Sequence, residues 1–176
     1  MRKLFWLLAG ALLLWGSEPD MKLIRLEAML FGKMIFLDYD VADKRLGREV
    51  VVYVVYDTKS HEAIARKFVR VLDGMELFGQ KVRAEAVAVK GLKKLPVPTA
   101  YIAVTDEKRL TPLIREAVAR KRLLFAYDEQ AIPHAMIAIE LGTRIVPVIN
   151  PQLLKEAKIE LRPIVFKVAK VYDIAN

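Results

Sequence analysis

Three aspartates, Asp57, Asp106 and Asp128, each stand just after a run of strand-forming residues: 50–56, 99–104 and 123–127. If those strands run parallel, the three carboxylates share one carboxyl edge, the place where open α/β sheets hold their ligands. Thr58 and Ser60 follow the first aspartate, and His134 precedes a later pair of strands. Carboxylates, hydroxyls and an imidazole at one edge could hold Mg²⁺ or the amine of a small metabolite. The candidate ligand-binding set is therefore Asp57, Thr58, Ser60, Asp106, Asp128 and His134. A plainer reading stands beside it: Asp57 and Asp106 lie next to Thr and Ser at helix starts and would act only as caps. His134 is either a pH-responsive ligand group or a loop histidine bonded to backbone.

Other chemistry is poorly served. The chain has no cysteine, so it offers neither disulfides nor thiolate ligands or nucleophiles. Its two histidines, His61 and His134, are far apart, and a zinc site would need at least two carboxylates besides. His61 falls in a helix first turn, where exposure is expected. There is no Gly-rich phosphate loop, nucleophile elbow or His-Glu-x-x-His pattern. The expectation is a binding protein rather than an enzyme, with no catalytic residue, cofactor or resident metal. An acidic crevice at a sheet edge also has the layout of a phospho-receiver, which is the alternative structural analogy.

The elements that position these residues follow from the hydrophobic pattern. Residues 21–37 form an amphipathic helix with Leu23, Ile24, Leu26, Leu30, Phe31, Met34 and Ile35 largely on one face. Residues 50–56 are a continuous apolar run that suits a central strand covered on both faces. A helix over 61–72 ends at Gly74, and a strand over 81–90 follows. Residues 105–107 open another helix, which closes on the basic run Arg120, Lys121 and Arg122. Two apolar runs, 136–141 and 144–149, flank Gly142-Thr143 and read as a β-hairpin. Asn150-Pro151 starts a short helix, and Arg162-Pro163 starts a second over 164–172. The sum is one α/β domain: a three-layer sandwich with a mostly parallel central sheet, a C-terminal β-hairpin and C-terminal helices.

The N-terminal residues have a different character. Arg2 and Lys3 precede the apolar run 4–15, and Gly16 to Asp20 make a small-residue, turn-forming exit. That is the layout of a secretory signal, too short for a comfortable membrane span. The expectation is a signal peptide at 1–17, a domain at 18–176 and periplasmic location. Removing Arg2 and Lys3 from the 29 basic residues leaves 27 against 21 acidic, a net charge of +6. An exported basic protein meets no nucleic acid. Association with an anionic membrane surface or an acidic partner is the functional reading, and a solvated charged surface the plain one. Few Asn, Gln and Ser among many Lys, Arg and Glu suggest a thermophilic source.

The C-terminal block carries a resemblance. Met136-Ile137, Gly142-Thr143-Arg144, Ile149-Asn150, Ala157 and the run 163–169 resemble the closing pattern of the YfiR-like family of exported bacterial regulatory proteins. Residues 123–128 are similar to that family's fourth strand, and residues 28–37 to its first helix. The family's Trp-Pro after that helix is replaced by Asp38-Tyr39-Asp40, and its paired glycines by His134-Ala135. The resemblance implies a non-enzymatic regulator that contacts an inner-membrane signalling protein, a diguanylate cyclase of cyclic di-GMP signalling or a sensor kinase. The wide apolar face of the first helix further suggests a homodimer.

Overall fold

A computed structural model describes residues 21–172. The expected signal segment lies outside the described residues. The order of elements is α1 (Met21–Ile35), β1 (Val50–Tyr56), α2 (Lys59–Leu72), β2 (Glu76–Leu77), β3 (Gln80–Ala88) and β4 (Ala100–Val104). Then come α3 (Glu107–Ala119), β5 (Leu123–Ala126), β6 (Ile137–Leu141), β7 (Ile145–Ile149), α4 (Pro151–Glu156) and β8 (Lys170–Val171). Short 3₁₀ turns fill several of the connections.

The strands form one sheet in the order β2-β3-β1-β4-β5-β6-β7-β8. Strands β3, β1, β4, β5 and β6 run parallel, and β7 turns back against β6 with Leu141 opposite Ile145. Strand β1 sits deep in the sheet because its Val- and Tyr-only sequence can be buried on both faces; Val50 to Val55 are all buried. The chain steps one way from β1 to β3 and the other way from β4 to β5. Right-handed crossovers in opposite directions put α2 and α3 on opposite faces. The three-layer α/β arrangement with helical elements near the C-terminus is therefore the fold.

Helix α1 packs beside α2. Its Phe31 ring lies 6.3 Å from Phe68 of α2 and 4.9 Å from Phe125 of β5, and Phe68 meets Tyr127 edge-on at 5.6 Å. Gly32 lets the helices approach: a Cβ there would lie 3.0 Å from Leu77 Cδ1 and 3.2 Å from Leu72 Cδ2. The exit of α1 is tied to the C-terminal segment, with the Arg162 N–H donating to the Leu37 carbonyl at 2.8 Å. At the amino end of the sheet, the Lys44 ammonium and the Asp38 carboxylate form a buried ion pair.

The hairpin and the Asn150 helix start appear where the pattern placed them, with the Asn150 side chain accepting from the Leu153 N–H at 3.2 Å. The last segment differs. Instead of a helix over 164–172 there is a 3₁₀ turn at Pro163–Lys167 and then β8, parallel to β7. Ile164 and Val168 of the expected face are exposed, and only Val165 in it is fully buried, so the helical spacing there marks no continuous buried face. The edge of β7 offers unpaired backbone groups, and the Tyr172 N–H donates to the Ile149 carbonyl at 2.7 Å. Sheet pairing outcompetes a helix with little to bury.

Candidate functional site

At the carboxyl edge of the parallel strands a cleft of about 410 Å³ opens between the ends of β4, β5 and β6 and the side of α1. The switch in strand order lies between β1 and β4, and the cleft opens to one side of it, over the ends of β4, β5 and β6. Strand β4 delivers Thr105 and Asp106, strand β5 delivers Tyr127 and Asp128, and β6 supplies the apolar wall of Ile139 and Leu141. Helix α2 brings His61, and α1 brings Glu27.

Glu27 is the unusual group. It is 1% exposed, and neither of its carboxylate oxygens has a hydrogen-bond partner. Burial, with the Glu129 carboxylate adding to it, pushes its pKa up to about 7. Thr105, also buried on the cleft wall, leaves its hydroxyl oxygen without a partner. Buried polar atoms are nearly always bonded, so unpartnered ones lining a cleft point toward what the cleft would hold. Burial also raises the Tyr127 hydroxyl, with the Glu27 and Asp128 charges contributing.

Along the rim the acids are engaged. His61 Nδ1 lies 2.6 Å from Asp57 Oδ1, and its Nε2 lies 3.9 Å from Asp106 Oδ1. Burial pushes the Asp57 carboxyl up, but the His61 contact and the Asp106 backbone N–H together outweigh it and hold the group below its usual range. Asp128 accepts from the Gln130 N–H at 2.9 Å. Glu129 accepts from the Leu141 N–H at 2.9 Å. Glu107 lies 3.0 Å from His134 Nε2.

Of the expected set, Asp106 and Asp128 line this cleft. Asp57 reaches it through His61 and the Asp106 N–H; with Thr58 it lines a neighbouring depression between α2 and the end of β3. Thr58 is the cap of α2, accepting from the His61 N–H at 3.2 Å, and Ser60 lies 3.0 Å from the Thr58 hydroxyl. Capping thus accounts for Thr58 and for Asp128 on its 3₁₀ turn, but not for Asp57, and Asp106 makes no side-chain cap bond. His134 orients Glu107 from outside the cleft. His61, expected to be exposed, is instead a cleft residue. Glu27 was missed because a helix face was read for its apolar members only. The signal was present: Glu27 falls three residues after Ile24 and four before Phe31, on the buried stripe.

Among the described residues, no group of three or more His, Asp or Glu is arranged to hold a metal ion. No helix among them is long and apolar enough to cross a membrane.

The fold is an α/β domain with a mostly parallel central sheet and a cleft at its carboxyl edge. No protein-family model matches the chain, and no curated protein matches it. In fold it is similar to a solved structure described as the ABC domain in complex with L-Trp from Streptococcus pneumonia, with a TM-score of 0.57 at 9% identity. The match covers 85% of this chain and 62% of that one, so the chain spans less than two thirds of that structure. At such identity the likeness is one of fold.

Proposed function

We propose that this protein is a small-ligand-binding module that holds its ligand in the cleft at the carboxyl edge of its sheet. The observation that carries the reading is the buried Glu27 carboxylate, unpartnered on both oxygens, on the cleft wall beside the unpartnered Thr105 hydroxyl. A folded chain gains nothing from such groups unless a bound molecule satisfies them. The volume is of the size that takes a small metabolite. The fold likeness to a domain solved with L-Trp supports the same class of function.

Binding suits the geometry better than catalysis. The Asp57–His61 pair has the form of a base and its orienting acid, but His61 Nε2 faces Asp106 rather than a hydroxyl. Ser60 is turned to Thr58. A regulatory role at the cell envelope, acting on an inner-membrane cyclase or kinase after export, rests on the C-terminal resemblance and the N-terminal pattern. In that setting the ligand would bias which conformation the partner meets.

The test is a thermal-shift screen of the full chain against amines, amino acids, sugars, nucleotides and divalent metals, with methyl NMR of Ile139 and Leu141. Binders should raise the melting temperature and move those methyl signals, and Leu141→Trp, which fills the mouth, should abolish both effects. A panel in which no compound moves either readout overturns the proposal.

A further inference from the structure

The proposed binding role leaves the ligand's chemistry open, and the charges of the cleft narrow it. The chain carries a net charge of +8, yet among the described residues five carboxylates line the cleft and neither lysine nor arginine does. A basic protein that gathers acids and excludes its abundant cations from one cavity has made that cavity attractive to positive charge. The rim acids already have partners: Asp128 and Glu129 take backbone N–H groups, and Glu107 meets His134. Glu27, deeper and enclosed, has none among the described residues. Asp106 is exposed beside His61, so the buried carboxylate without a partner is at the wall of α1, in a cleft that Tyr127, Ile139 and Leu141 also line.

We propose that the cleft binds an organic ammonium ion that lacks a carboxylate, seating its charged nitrogen on Glu27 and its alkyl body against Tyr127, Ile139 and Leu141. The inference rests on the binding role assigned to this cleft. Three features select this class over its neighbours. An α-amino acid brings a carboxylate that would need an arginine or lysine, and no such residue lines the cleft. A metal ion needs several converging oxygen ligands, and no such group exists among the described residues. A neutral polar ligand would gain nothing from the negative charge that the cleft's carboxylates gather. An ammonium offers three N–H donors to the two empty carboxylate oxygens, with Thr105 as a further acceptor. The surrounding rim acids would draw in a second positive charge, so a diamine should bind more tightly than a monoamine of the same length.

Isothermal titration of the full chain with n-butylamine, putrescine, 4-aminobutyrate, n-butyrate and MgCl₂ tests this. The expected order is putrescine above n-butylamine, 4-aminobutyrate weaker than either, and no heat from n-butyrate or Mg²⁺. Glu27→Gln should weaken both amines by about 10- to 100-fold, the usual loss for a charged hydrogen-bond partner, while circular dichroism shows it folded. Amine binding that survives Glu27→Gln, or a preference for the zwitterion, n-butyrate or Mg²⁺, overturns the ammonium assignment but leaves a ligand-binding cleft. If the wider screen also finds no compound that moves the cleft methyl signals, the binding role itself fails.

Discussion

Replacing Glu27 with glutamine should make the protein more stable in mild alkali and leave it nearly unchanged in acid. Glutamine has the same shape and no charge, so the substitution isolates the cost of a buried carboxylate. In the folded chain the Glu27 pKa is raised from 4.5 to about 7. The sign follows from proton counting. Between those two values the folded protein keeps the Glu27 proton while the unfolded chain has lost it, so stability falls as pH rises through that window and is level above it. A displacement of this size corresponds to about 3 kcal/mol once both states are fully ionised. The glutamine amide and the protonated carboxyl both lack partners, so that cost cancels and the net gain at about pH 8 is about 3 kcal/mol. Near pH 4 Glu27 is uncharged in the folded protein, and the gain should vanish. Glu129, Asp128, Tyr127 and His61 also surround the position, but both proteins carry them, so their titrations cancel to first order in the difference. Urea denaturation of the two proteins from about pH 4 to about pH 8 measures that difference directly. A gap that does not change with pH, or a mutant less stable throughout, refutes the argument that the carboxylate is held against its preference. Retaining a destabilising acid is what a binding residue requires, since the ligand supplies the missing partner.

Two further substitutions probe the scaffold. Lys44→Met should destabilise the fold by about 3 kcal/mol, because it strands the buried Asp38 carboxylate, and Asp38→Asn in the same chain should recover most of the loss. Denaturant midpoints of the two single variants and the double variant check this. Asn150→Ala should cost about 2 kcal/mol, losing both the cap on Leu153 and the bond from its amide to the Ile132 carbonyl, and should lower the melting temperature without altering the α/β circular dichroism.

Much of the scaffold was legible because local and global preferences agree. The Val-rich run of β1 can only be a buried strand, Thr58 both ends the loop and caps α2, and the short turn between β6 and β7 fixes their pairing. Those same signals put Asp106 and Asp128 at the end of parallel strands, and the strand order then made them neighbours. The last segment misled because residues 164, 165, 168 and 169 keep helical spacing although only Val165 among them is fully buried. Its conformation is set by the edge of β7, which is distant in sequence.

His61 and Glu27 mark the boundary between what the chain itself says and what folding decides. Sequence alone determined that Asp57 and His61 lie four residues apart at a helix start, and that Glu27 sits on the apolar stripe of α1. It also set the excess of basic residues across the chain. Only the tertiary structure decided that the carboxyl ends of β4 and β5 face the side of α1, that no lysine or arginine enters the space between them, and that Glu27 is left there without a partner. Periodicity reports which side of a helix is buried, but not what lies across from it. That depends on the order in which strands assemble, and here the assembly turns one charged residue on a buried face into the floor of a cleft.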